Sequence, residues 1–231
     1  FYTEIVAYLA TKLNGATMEE MCAAFASTPD LIRRRLAVIR KWLGTDPRTG
    51  QLYLPVAARS EASTQRGSSA YQLTNVLYDA DLFRRLRLRG QSRGPAGLHD
   101  FLQALSLVRG TPHSDLRPRG GIWLADNRED QHLLVAIVDV AHLAATMAIQ
   151  AHDFEAARRA VRTAMNAAPD EEMPKLDLAA IAAAEGDRAE SERVARDVCD
   201  QQDAEGPLDL DPRTRQLLLA SGWVAPRSRV G

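Results

Sequence analysis

Apolar residues recur at intervals of three and four along most of the chain, the spacing that keeps one face of an α-helix dry. The longest such stretch, from Gln131 to Pro169, predicts two helices folded back on each other, with Asp153 capping the second and Pro169 ending it. Small residues cluster where these helices would touch: Ala141, Ala145, Ala148, Ala156, Ala157, Ala160 and Ala164. Because alanine lets two helix backbones approach closely at little cost in helix propensity, the pattern predicts a hairpin with an alanine-rich contact.

The same pattern returns further along the chain. Asp153 and Asp187 each open a predicted helix, and they are 34 residues apart (187 − 153), which is the period of the tetratricopeptide repeat (TPR). Further helices are predicted over residues 171–185, 187–201 and 211–219. The chain is therefore expected to be mainly α, with a TPR-like α-helical bundle over residues 79–225.

The first part of the chain has a different organisation. Three helices are predicted over residues 1–13, 18–26 and 31–43, and the third buries Ile32, Leu36, Ile39 and Leu43. Two short runs suited to β-strands follow, Gln51–Leu54 and Ala70–Leu73, joined by a polar, basic loop. Three helices followed by a β-hairpin wing are the order of a winged helix-turn-helix, so residues 1–78 are predicted to form such a domain.

Six basic residues of this first domain are candidate DNA contacts: Arg33, Arg34, Arg40 and Lys41 on the third helix, and Arg59 and Arg66 on the predicted wing. A winged helix places its third helix in the major groove and its wing on the phosphate backbone. Residues 1–90 hold 13 Lys+Arg against 8 Asp+Glu, a net charge of +5, whereas the remainder holds 16 against 22, a net charge of −6. The alternative is that these residues are solvated charges on a helix that packs against the bundle.

Other kinds of site are not indicated by the sequence. The five histidines lack metal-ligand spacing, since the two on one predicted helix, His132 and His142, are ten residues apart, and no glycine-rich phosphate loop follows a strand. Cys22 and Cys199 are far apart and are expected to stay reduced. We therefore expect no enzyme, no cofactor and no metal. No run of 18 or more apolar residues occurs, so we expect no membrane contact from this chain, which begins with Phe1 and is expected to be a fragment.

The order of these parts resembles the bacterial transcriptional activator domain (BTAD) of the SARP-type regulators of actinobacteria. The specific segments are YDADLF at 78–83, ALSLVRGTP at 104–112, Trp123, the run from His152 to Glu171, and LDLDPRTRQLL at 208–218. The resemblance extends from about Phe1 to Leu219. It implies a cytoplasmic transcription regulator that binds duplex DNA, and Trp123 is expected to be a core residue.

The third helix departs from the family pattern at its centre. The family has a Ser-Arg pair where this chain has Ala37 and Val38, which removes a polar contact and an arginine that would pair with phosphate. This variant is similar to the C-terminal domains of large actinobacterial membrane proteins that carry LysM-type segments elsewhere, for which DNA binding is an inference from the fold alone.

Two functions therefore remain open. The first is a DNA-binding transcriptional regulator, in which the helical bundle senses or recruits a partner. The second is a protein-interaction scaffold that does not bind DNA, whose bundle holds a protein partner or a second copy of the chain. In that second case the chain would be the cytosolic part of a larger membrane-anchored protein.

Overall fold

The computed structural model describes residues 1–116, 121–204 and 209–220. Over these residues the chain is mainly helical and contains one two-stranded sheet, in agreement with the predicted mainly α fold. The chain divides into two compact units. The first consists of residues 1–78 and 113–130, and the second of residues 79–112 and 131–231. The sequence predicts residues 113–130 as part of the second domain, whereas the structure groups them with the first unit.

The first unit begins with three helices in the predicted order. They are α1 (Tyr2–Thr11), α2 (Met18–Phe25) and α3 (Pro29–Leu43). A capping box starts α2, because the Thr17 side chain accepts the Glu20 N–H while the Glu20 carboxylate accepts the Thr17 N–H. Pro29 stands in the first turn of α3, where its missing N–H leaves no hydrogen bond unmade.

The predicted hairpin between Gln51–Leu54 and Ala70–Leu73 is not the pairing that forms. Strand β2 (Ala70–Tyr71) instead pairs antiparallel with β1 (Ala16–Thr17), which lies between α1 and α2. The earlier run contributes a single bridge, between Leu52 and Thr45. The polar segment between the two runs is also ordered: it forms a 3-10 turn (Ala57–Arg59) and a short helix, α4 (Glu61–Arg66).

Ser60 explains why this polar segment folds into a helix. Its hydroxyl accepts the Ser63 N–H at 3.1 Å, which caps α4, and donates to the carbonyl oxygen of Ala70 at 2.6 Å. Ala62, in the first turn of α4, is fully buried. This run of small polar residues therefore supplies both a helix cap and a hydrogen bond to β2, where the sequence predicts a loose wing.

The core of the first unit combines the three helices with Trp123, which is only 2% exposed, as the sequence predicts. The Tyr8 ring meets the rings of Trp123 and Phe25 edge to face, with centroids 5.5 Å and 5.3 Å apart. A short helix, α7 (Leu124–Asn127), follows Trp123. These aromatic contacts account for the inclusion of residues 113–130 in this unit.

The second unit opens with two helices joined by a tight turn. They are α5 (Asp79–Ser92) and α6 (Leu98–Leu105), with a 3-10 turn over Gly94–Gly97. The Asp100 side chain is fully buried and accepts hydrogen bonds from Arg89 and Arg93, which hold its pKa below the usual range. The glycine-rich stretch over residues 91–97 is therefore part of a compact helical turn.

The remaining helices are α8 (Glu129–Gln150), α9 (Phe154–Ala167), α10 (Met173–Glu185), α11 (Arg188–Gln201) and α12 (Pro212–Ala220). The α8–α9 and α10–α11 turns have the same construction. His152 and Gly186 both have a left-handed backbone, with φ of 55° and 81°. Asp153 and Asp187 then cap the next helix, each accepting a backbone N–H at 3.0 Å. The predicted alanine-rich contact is buried as well.

Helix α8 is long and apolar enough to cross a membrane by length and composition alone. It has 22 residues and a mean hydropathy of 1.8 over its most apolar stretch, half of which is buried inside the protein. Core helices of this alanine-rich kind share the composition of membrane spans.

Candidate nucleic-acid interface

Three buried residues determine which side of α3 faces outward. Ile32, Leu36 and Ile39 are at most 1% exposed, and they fill the core of the first unit. Arg34 and Lys41 lie on the opposite side and are exposed. Their seven-residue separation places them about 20° apart around the helix and about 10.5 Å apart along it. Packing of the apolar face therefore presents two cations in a row along the outer surface.

The structure does not bring the six predicted DNA-binding residues together as free side chains. Arg33 pairs with Asp30 at 2.8 Å, and both side chains are exposed. Arg40 is half-buried: its guanidinium donates to the carbonyl oxygens of Leu54 at 2.8 Å and Pro55 at 3.3 Å. Arg40 thus anchors the segment that follows α3, and its donors face the protein.

Arg66 also has a structural role. It donates to the carbonyl oxygen of Gly15 at 2.9 Å and to the Glu20 carboxylate at 2.5 Å, tying the end of α4 to the start of α2. Burial raises the pKa of Glu20, but the hydrogen bonds from Arg66 and from the Thr17 N–H outweigh it and leave the pKa below its usual value. Glu20 therefore stays ionised at neutral pH, and the pair is neutral overall.

Arg59, Arg34 and Lys41 are exposed like Arg33, but they differ from it in their pairing. None of the three forms an ion pair with a residue in the described ranges. Arg59 ends the 3-10 turn that replaces the predicted wing. The candidate interface is therefore smaller than predicted, and it is centred on α3.

Two features of α3 are not evident from the sequence. The Arg35 guanidinium lies 3.5 Å from the centre of the Phe1 ring, a cation–π contact. Leu31, Val38 and Trp42 form an exposed apolar row, with Trp42 61% exposed. Their spacing of seven and four residues could have revealed this row once the register of the helix was known.

A titratable pair of a different kind lies in the second unit. The Nδ1 atom of His142, on α8, lies 2.7 Å from a carboxylate oxygen of Asp177, on α10. The hydrogen bond to Asp177 raises the pKa of His142. In the described part of the chain, no group of three or more His, Cys, Asp or Glu side chains could hold a metal ion. The pair joins α8 to α10.

Comparison of the chain with protein-family models, curated proteins and solved structures finds no match. The BTAD resemblance therefore stays a prediction, and the outer face of α3 is the feature on which a functional proposal rests.

Proposed function

We propose that this chain is a BTAD-like regulatory module that binds duplex DNA through the outer face of α3. The order α1–β1–α2–α3, with β2 paired to β1, supports a winged helix-turn-helix of unusual form, in which the helix α4 stands in place of a loose wing tip. In such a domain the third helix enters the major groove.

The observation that carries this proposal is the pair Arg34 and Lys41 on either side of Ala37. The two cations are about 10.5 Å apart along α3, and the major groove is about 12 Å wide. Ala37 adds only a methyl group between them, which allows the helix backbone to approach the groove floor. Val38 can contact a thymine methyl group. This arrangement favours phosphate contacts with little direct base reading.

The second unit then has a regulatory part in the proposal. Two helical hairpins with the same capped turn, 34 residues apart, support a TPR-like array that holds a protein partner or a second copy of the chain. On this proposal the chain acts in the cytoplasm without catalysis, cofactor or metal, alone or as the cytosolic part of a membrane-anchored protein.

Fluorescence anisotropy with a labelled GC-rich duplex tests DNA binding. At about 50 mM salt the native chain should bind, and Arg34→Glu/Lys41→Glu should weaken binding by at least about 100-fold while lowering the salt slope by about 2. Arg109→Glu/Arg196→Glu is the matched control: it changes the net charge equally, at exposed positions of the second unit. No binding by the native chain, or an equal loss in the control, refutes the proposal.

The apolar row on α3 favours a second candidate, the protein-interaction scaffold. A row of Leu31, Val38 and Trp42 is typical of a protein contact, since exposed apolar residues in line lose water on association. If α3 joins two copies of this chain, light scattering should show a dimer that Trp42→Ala disrupts. A monomer at all concentrations, combined with DNA binding, would favour the first candidate.

A further inference from the structure

The first unit contains a cavity of about 660 Å³ between α1, the turn that follows it and α2. Tyr8 and Trp123 line the cavity, and both side chains are nearly completely buried. Helix α2 contributes the small side chains of Ala23 and Ala24 to the lining, which leaves the space open. The volume lies in the range of small-molecule sites, about 300–1,000 Å³.

The charged groups of the lining leave one cation without a counterion. Glu20 and Arg66 neutralise each other at 2.5 Å. The Nζ atom of Lys12 lies 5.1 Å from the centre of the Tyr8 ring and forms no ion pair with any acidic residue that the structure describes. A single ammonium group next to aromatic rings is suited to a monoanion.

The exposed aliphatic side chains of the lining indicate an apolar ligand body. Leu13 and Ile122 line the same cavity, and they are 76% and 67% exposed. An apolar ligand body that covered both side chains would remove them from water, which favours binding.

We propose that this cavity binds a small carboxylic acid with a flat apolar body. The carboxylate pairs with Lys12, and the body lies against Tyr8 and Trp123 and covers Leu13 and Ile122. The site is formed by the first unit alone and does not depend on DNA binding by α3.

Isothermal titration calorimetry of the full chain with naphthalene-2-carboxylate tests the proposal. We expect saturable binding that is at least about tenfold weaker for naphthalene-2-carboxamide, which has the same body without the charge. Lys12→Met should weaken binding of the acid by at least about tenfold, whereas the control Lys41→Met, at an exposed lysine of α3, should leave it unchanged. Ala24→Leu should fill the cavity and abolish binding, with Ala37→Leu on the outer face of α3 as its control.

The comparison of acid and amide uses the native chain, so it remains decisive if a variant fails to fold. Absence of saturable heat up to about 1 mM acid, equal binding of acid and amide, or unchanged affinity in a folded Lys12→Met chain would each overturn the proposal. Circular dichroism of each variant establishes that it is folded before titration.

Discussion

Gly97 lies where α5 and the turn before α6 approach each other closely, so one added methyl group at this position should lower the stability of the second unit. A Cβ atom at Gly97 would lie 2.1 Å from the carbonyl oxygen of Gly90 and 2.7 Å from its carbonyl carbon. Both are backbone atoms, so neither can rotate away. The two segments must separate by about 0.9 Å (3.0 − 2.1) before the contact reaches the shortest distance that real Cβ atoms show.

Overpacking of a protein interior usually costs about 1–3 kcal/mol, and a clash with backbone lies at the upper end because no rotamer change relieves it. We therefore expect Gly97→Ala to lower the free energy of unfolding of the second unit by about 3 kcal/mol. Gly94→Ala is the matched control three residues away. Its Cβ would meet nothing within 4 Å, but φ is 54° there, so only backbone strain of about 1 kcal/mol is expected.

Urea unfolding followed by far-UV circular dichroism measures both free energies, and hydrogen exchange of the α5 and α6 amides locates the loss. Exchange in the first unit should be unaffected by either change. If Gly97→Ala lowers the free energy of unfolding no more than Gly94→Ala does, the two backbones do not meet as closely as a 2.1 Å contact requires.

Two further predictions concern the second unit. Asp153→Ala and Asp187→Ala each remove the oxygen that caps a helix. Each should lower the free energy of unfolding, measured by urea titration, by about 1 kcal/mol. A loss of stability at only one of the two positions would contradict the equivalence of the two turns. The hydrogen bond to Asp177 raises the pKa of His142, so the stabilisation from this pair should be complete below the ordinary pKa near 6.5 and be lost as pH rises through the raised value. As the pH rises from about 5.5 to 8.5, the melting temperature should therefore fall more for the native chain than for His142→Asn. Parallel curves of melting temperature against pH would contradict this prediction.

Helix positions were predictable because their signals are local. The capping box at Thr17 and Glu20 and the caps at Asp153 and Asp187 depend on residues within three positions of each other. The buried side of α3 was predictable for the same reason, since helical periodicity alone selects Ile32, Leu36 and Ile39.

The segment between α3 and β2 was poorly predicted because its structure depends on distant partners. Ser60 caps α4 and also bonds to the carbonyl oxygen of Ala70, ten residues away. Ala70 pairs with Thr17, more than fifty residues earlier in the chain. A polar run without helical periodicity contains no local sign of these contacts, so the sequence predicts a flexible wing instead.

By itself, the sequence determined the mainly helical fold, the caps and turns, and the basic character of α3, since each follows from spacing within a few residues. Only the tertiary structure decided which of the cations form hydrogen bonds within the protein and which remain available to a ligand. Arg40 and Arg66 look equivalent to Arg34 and Lys41 in the sequence, but carbonyl oxygens of Leu54 and Gly15 lie within hydrogen-bond reach of the first two. A guanidinium close to such acceptors binds them, and the fold alone places those acceptors.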